Sequence, residues 1–250
     1  MTKIVAHRGA SYLAGRDNTL ESFRLAIELG ADMVEFDVRS TRDNVLVVFH
    51  DSTFADSPIS WLTFDKLEKE AEARGFHIPT FEEVLELCHG KIRMDIEIKE
   101  EGFESKLVKI CHKYLDYSEY TIKSFFEKLV YRVKKLDKNI TTGLLLGMRT
   151  MNPMRRLSEI FPYGRVLRCR CDFVSPNEWL VRLAFVERMH FHKIPVYVWT
   201  VNKKRTMKRY LKMGVDGLIT DKPDAALFVR KELGAKRYEK KNKRIHRIYR

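Results

Sequence analysis

The chain has 250 residues, 44% of them hydrophobic and 32% charged, with a formal net charge of +13. That length buries one large core, and the balance excludes a disordered chain and, with no apolar run long enough to cross a bilayer, a helical membrane protein. The charge is unevenly spread: residues 236–250 hold eight Lys or Arg against Glu239, a balance of +7 that leaves +6 for residues 1–235.

Four cysteines, Cys88, Cys111, Cys169 and Cys171, have no framework spacing and form no Cys-x-x-Cys pair. This argues against structural zinc and for reduced core thiols. The chain enters a strand-like Lys3-Ile4-Val5-Ala6 at once, without the pattern of a secretory signal. A cytoplasmic location is expected.

In chain order, β-type apolar runs alternate with amphipathic helical stretches. The first strand is expected at residues 3–6, a helix at 18–29 stopped by Gly30, and a second strand at 33–38 that 45–49 extends. Residues 52–78 read as a short polar insertion with one helical piece at 63–74. Pro79-Thr80 opens another helix, where Thr80 and Glu83 have the spacing of a capping box. Further strands are expected at 92–98, 120–124, 141–146, 172–176, 195–200 and 217–220. Helices at 103–115, 125–136, 179–190 and 203–213 fall between them, and a last one follows Pro223. Pro153, Pro162 and Gly164 break the periodicity of residues 147–170. About eight strands with crossover helices predict a TIM (β/α)₈ barrel, a single α/β domain over residues 1–235 followed by a basic tail at 236–250.

In that architecture, side chains at the C-terminal strand ends gather at one mouth. His7, Glu35, Asp37, Glu97, Lys99, Ser124, Trp199 and Asp221 fall at or just beyond such ends. Glu35 and Asp37 share one face of their strand, roughly 7 Å apart, and two carboxylates on an apolar strand are costly unless something positive lies between them. A rim ion pair with Arg39 is one answer; a hard cation is the other. Three carboxylates suit Mg²⁺ or Ca²⁺, with Mn²⁺ as a further candidate, and not zinc. Asp95 stands two residues before Glu97, so spacing alone does not choose between them. Arg8 and Lys99 add fixed positive charge suited to phosphate, and His7 and His50 supply imidazoles for proton transfer. A base, a cation cluster and an acid are what phosphodiester hydrolysis requires.

These residues lie in ordered segments: His7-Arg8-Gly9-Ala10, Asn18-Thr19-Leu20-Glu21-Ser22-Phe23, Gly30 to Val38, His50-Asp51, Ile78 to Val84, Glu97-Ile98-Lys99, Ser124-Phe125, Val198 to Asn202 and Gly214 to Asp221. Together they resemble the glycerophosphodiester phosphodiesterases over roughly residues 4–225. The resemblance implies a TIM barrel and metal-dependent hydrolysis of a glycerophosphodiester to glycerol 3-phosphate and an alcohol. It implies that His7 and His50 are the acid–base pair and that Glu35, Asp37 and Glu97 hold one divalent cation. Arg8 and Lys99 would contact the phosphate, and Trp199 would line the substrate end. The working order makes His7 the base and His50 the acid; the direction stays open, as does attack by water or by the glycerol 2-hydroxyl. Two departures stand out: Asp17 replaces the family's usual Glu, and residues 52–78 replace a longer covering insertion.

The basic tail is expected to be a solvated extension. It is also suited to weak contact with an anionic membrane, which would fit a lysophospholipase D-type activity, while nucleic acid is the less favoured partner. A barrel that binds without catalysis is the rival from another class, and the presence of both histidines and all three acids argues against it.

Overall fold

In the computed structural model, which describes residues 1–147 and 153–248, the apolar runs become eight parallel strands. They are β1 Lys3–His7, β2 Met33–Ser40, β3 Arg93–Ile98, β4 Tyr120–Ser124, β5 Thr142–Leu146, β6 Phe173–Pro176, β7 Tyr197–Val198 and β8 Gly217–Thr220. The spatial order is β7-β8-β1-β2-β3-β4-β5-β6. Two parallel bridges, Val174 to Val196 and Asn177 to Trp199, join β6 to β7 and bring the sheet to a nearly closed TIM barrel. The strands are buried on both faces, which is why β1 and β5 read as largely apolar runs.

The residues read as an extension of β2 turn back on it: Leu46–Val48 pairs antiparallel with Val38–Ser40. The insertion has more structure than its polar composition signals. It contains a two-stranded hairpin, Thr53–Phe54 with Ser57–Pro58, and the helix Phe64–Glu72. Val47, Phe54, Ile59, Leu62, Leu67, Ala71 and Ile78 give it a small core of its own.

The capping box at Thr80 is present: its hydroxyl accepts from the Glu83 amide while Glu83 reaches back to the Thr80 amide at 2.7 Å. A second one, Thr19 with Ser22, starts the helix Leu20–Glu28. The unreadable stretch resolves into the helices Pro153–Ile160 and Tyr163–Cys169; residues 148–152 lie outside the described residues, as do the last two of the basic tail, among them Arg250. The last helix, Pro223–Ile248, continues into that tail. Among the described residues, no helix is long and apolar enough to cross a membrane.

Candidate active site

Strand register puts the charged side chains on two rungs inside the barrel. His7, Glu35, Asp95 and Thr121 align across β1 to β4; two residues further up, Asp37, Glu97 and Lys123 align across β2 to β4. Strand alternation turns all of them inward.

Glu35, Asp37 and Glu97 each offer a carboxylate oxygen, and these oxygens lie within 4.8 Å of one another. All three are buried, at 1%, 1% and 6% exposure. An all-oxygen set of this size suits a hard divalent cation. Burial, with the Asp37 charge beside it, pushes the Glu97 carboxyl up to about 7. Burial also opposes the charge on Asp37, yet Lys99 and Arg8 hold that carboxyl well below the usual range. Arg8, Lys99 and Lys123 lie among the three acids, but Asp95 shares Lys123 and Asp17 shares Arg8, so five carboxylates face three cations, and a cation fits that excess. Arg39 does not join them: it pairs with Glu100 at 2.7 Å and donates to the His50 carbonyl at 2.9 Å.

Each histidine has one ring nitrogen held by a carboxylate. His7 Nδ1 lies 2.6 Å from Asp221 Oδ1, and His50 Nδ1 lies 2.7 Å from Asp51 Oδ1. That contact fixes the ring and leaves Nε2 for a substrate. His7 Nε2 is 3.9 Å from Glu35 Oε2. Burial resists protonation of His7, but Glu35 and Asp221 outweigh it and raise its pKa. Burial lowers that of His50, with Lys99 and Arg8 acting in the same direction and Asp37 and Asp51 against them. In the protein without a cation, His7 is thus the more easily protonated of the two.

Both imidazoles face one cavity of about 210 Å³, lined also by Arg8, Glu35, Glu97, Lys99, Lys123, Phe125 and Trp199. Asp37 does not line it; its oxygens are taken by Arg8 Nε at 3.1 Å, Lys99 Nζ at 3.2 Å and Asn18 Nδ2 at 2.9 Å. Arg8 has a left-handed backbone (φ 55°), and the next residue must be Gly: a Cβ on Gly9 (φ 83°) would stand 2.3 Å from the Ser22 hydroxyl. The Arg8 amide donates to Glu35 Oε2 at 3.1 Å, and its guanidinium reaches Asp17 at 2.7 Å. Asp17 orders Arg8, then, and the shorter acid still reaches it. The Trp199 indole donates to the Ser175 carbonyl at 2.7 Å and meets the Phe125 ring edge-on at 5.6 Å.

The family model described as the glycerophosphoryl diester phosphodiesterase family matches residues 7–225. The chain belongs to that family. A glycerophosphodiester phosphodiesterase of Caldanaerobacter subterraneus subsp. tengcongensis is 32% identical over 244 residues, 90% of this chain and 96% of the relative. One from Bacillus subtilis is 30% identical, covering 88% of this chain and 83% of the relative. Among solved structures, the glycerophosphodiester phosphodiesterase of Thermotoga maritima aligns with a TM-score of 0.75 at 26% identity, covering 92% of this chain and 98% of that one. An Oleispira antarctica phosphodiesterase, solved with the product sn-glycerol-3-phosphate, aligns at 0.79 and 21% identity, covering 92% and 96%.

Within this phosphodiesterase family site, several residues carry more than sequence reading assigned them. Lys123 is 1% exposed; its ammonium lies 2.7 Å from Asp95 and 3.2 Å from Glu35 Oε1. Asp95, fully buried one rung below the cavity, also accepts from Thr121 at 2.9 Å, which separates it from Glu97. Asn202 bonds Asp221 twice, its Nδ2 donating to Oδ2 and its Oδ1 accepting from the Asp221 amide at 3.0 Å. A lysine inside an apolar strand, Tyr120–Ser124, was the one available signal for Lys123, because an uncompensated charge there is costly.

Proposed function

We propose that this glycerophosphodiester phosphodiesterase hydrolyses deacylated phospholipid headgroups, such as glycerophosphocholine, to glycerol 3-phosphate and an alcohol. Residues 1–235 form the catalytic unit and residues 236–250 an appendage. The observation that carries the reading is convergence: two carboxylate-anchored imidazoles, three cationic side chains and part of a three-carboxylate cluster line one cavity. The family match and the product named for the Oleispira relative support the substrate class.

Glu35, Asp37 and Glu97 would hold Mg²⁺, Ca²⁺ or Mn²⁺. When bound, such a cation supplies charge neutralisation at the phosphoryl oxygens and lowers the pKa of an attacking hydroxyl or water. Arg8 and Lys99 meet the phosphate, and Trp199 with Phe125 forms an apolar wall. One imidazole accepts the proton of the attacking oxygen, and the other donates a proton to the departing alkoxide. The free, buried cysteines fit a reducing cytoplasm.

Glycerol 3-phosphate release from a panel of headgroup diesters, with and without chelator, tests this reading. Chelator is expected to abolish release and added divalent metal to restore it; release on no diester would refute it. The order of the histidines follows from leaving-group dependence. The variant, His7→Ala or His50→Ala, that is partly spared on a diester with a very good leaving group has lost the acid.

A further inference from the structure

Nearly all the net charge belongs to one part of the chain. Residues 203–250 contain 17 of the 47 basic residues against 5 of the 34 acidic ones, a balance of +12 that leaves +1 for residues 1–202. These residues build two helices that pack on each other, Lys204–Met213 and Pro223–Ile248. The first carries Lys204, Arg205, Lys208, Arg209 and Lys212 and no acid, and all five are exposed. Among the described residues, none of the five has an ion-pair partner, whereas the buried cations of the barrel, Lys99 and Lys123, have two each. Like charges crowded on one face repel one another, and a polyanion relieves that repulsion.

Beside this helix runs a groove of about 750 Å³ lined by Lys208, Lys212 and Arg230 and by the half-buried Leu233 on its apolar side; its other leucine and valine, Leu211 and Val215, belong to the core. Arg230 is engaged by Asp32 and by the Thr2 carbonyl, and the groove's one acid, Asp216, accepts from His190 at 2.8 Å. Lys208 and Lys212 are its free charges. The groove is bordered by Thr2 and Val215, which precede β1 and β8, so it lies at the N-terminal end of the barrel, opposite His7 and Glu35. The helix Pro223–Ile248 starts near the catalytic end and has 26 residues. At 1.5 Å per residue it is about 39 Å long, so it outruns the barrel at the groove end and carries the basic sequence 236–248 beyond it.

We propose that this face docks the protein on an anionic phospholipid bilayer, with the catalytic mouth turned towards water. Phosphate headgroups meet the lysines, whose aliphatic stems lie along the apolar side of the groove. A nucleic acid backbone would meet the charges but leave the half-buried Leu233 and the aliphatic lysine stems without an apolar partner. The mouth then receives soluble diesters, and a lysophospholipid held in the same bilayer does not reach it. Docking is independent of the reaction assigned to that mouth.

Co-sedimentation of the full chain with vesicles tests the proposal. Binding is expected to vesicles of phosphatidylcholine with 30% phosphatidylglycerol, to fall steeply with salt, and to be weak on phosphatidylcholine alone. Each Lys near such a surface contributes about five-fold to partitioning, so Lys208→Gln/Lys212→Gln is expected to lower it roughly 25-fold. Lys204→Gln/Arg205→Gln, at the mouth end of the same helix, is expected to lower it by less, and both pairs should keep the wild-type turnover of a soluble diester. Equal binding to both vesicle types, or unchanged partitioning in both pairs, would overturn the proposal. So would displacement of the protein from anionic vesicles by equimolar RNA. Hydrolysis of vesicle-embedded lysophospholipid at the rate of a soluble diester would overturn the orientation.

Discussion

Lys123 links the barrel interior to the reaction. Its ammonium binds Asp95 and one oxygen of Glu35, leaving the second Glu35 oxygen to the Arg8 amide and the His7 side of the cavity. Both Lys123 and Asp95 are buried, so removing one partner strands the other charge. Lys123→Met is expected to cost about 3–5 kcal/mol in denaturant unfolding, and pairing it with Asp95→Asn should recover a large part of that loss. Full stability in the single variant would show that the pair does not hold the barrel. Asp221 acts through His7 by fixing which ring nitrogen faces the substrate. Asp221→Asn is expected to lower kcat by roughly two to four orders of magnitude with little change in KM, the cost of a wrongly held tautomer. A variant changed mainly in KM would instead place Asp221 in substrate binding.

At the level of elements, the eight strands were legible because short β-type runs alternate with amphipathic helical stretches; β1, β5 and β8 are largely apolar, and β2, β3 and β4 carry a polar residue at every second position, facing inward. The imidazoles, Arg8, Lys99 and the three acids were legible because their motifs stand at strand ends. Lys123 was not legible: its neighbours Ile122 and Ser124 mark a strand, and nothing in the sequence shows that Asp95 meets it across the barrel. The hairpin of the insertion was not legible for a similar reason, since it depends on packing of Phe54 against Phe49 and Phe76. His77 braces that insertion. Nδ1 pairs with Glu68 of the helix Phe64–Glu72, and Nε2 lies 3.2 Å from Glu83 of the next helix, Phe81–Cys88. Burial opposes the His77 charge, but these two acids raise its pKa. A raised folded pKa means stability that is complete below the unfolded value of about 6.5 and lost as pH rises through the folded one. His77→Gln is therefore expected to lower Tm by roughly 1–3 °C at pH 5.5 and by less at pH 9, the effect being small because the ring is half exposed. An equal loss at both pH values would assign His77 a packing role only.

Across the whole molecule, the catalytic cavity and the groove lysines Lys208 and Lys212 lie at opposite ends of the barrel. The cavity holds compensated cations, each lysine bound to two acids, whereas among the described residues the five cations of the helix Lys204–Met213 have no ion-pair partner. The TIM barrel makes this separation available, because the strand ends that shape the mouth and the helix ends that shape the opposite face vary independently. The proposed function rests on Glu35, Asp37 and Glu97 holding a cation beside two imidazoles. Titration of the protein with Mn²⁺ by calorimetry measures that directly. The account predicts one ion per chain and a loss of affinity of about 100-fold or more in Asp37→Asn. Unchanged affinity in that variant, or turnover that survives chelation, would contradict it.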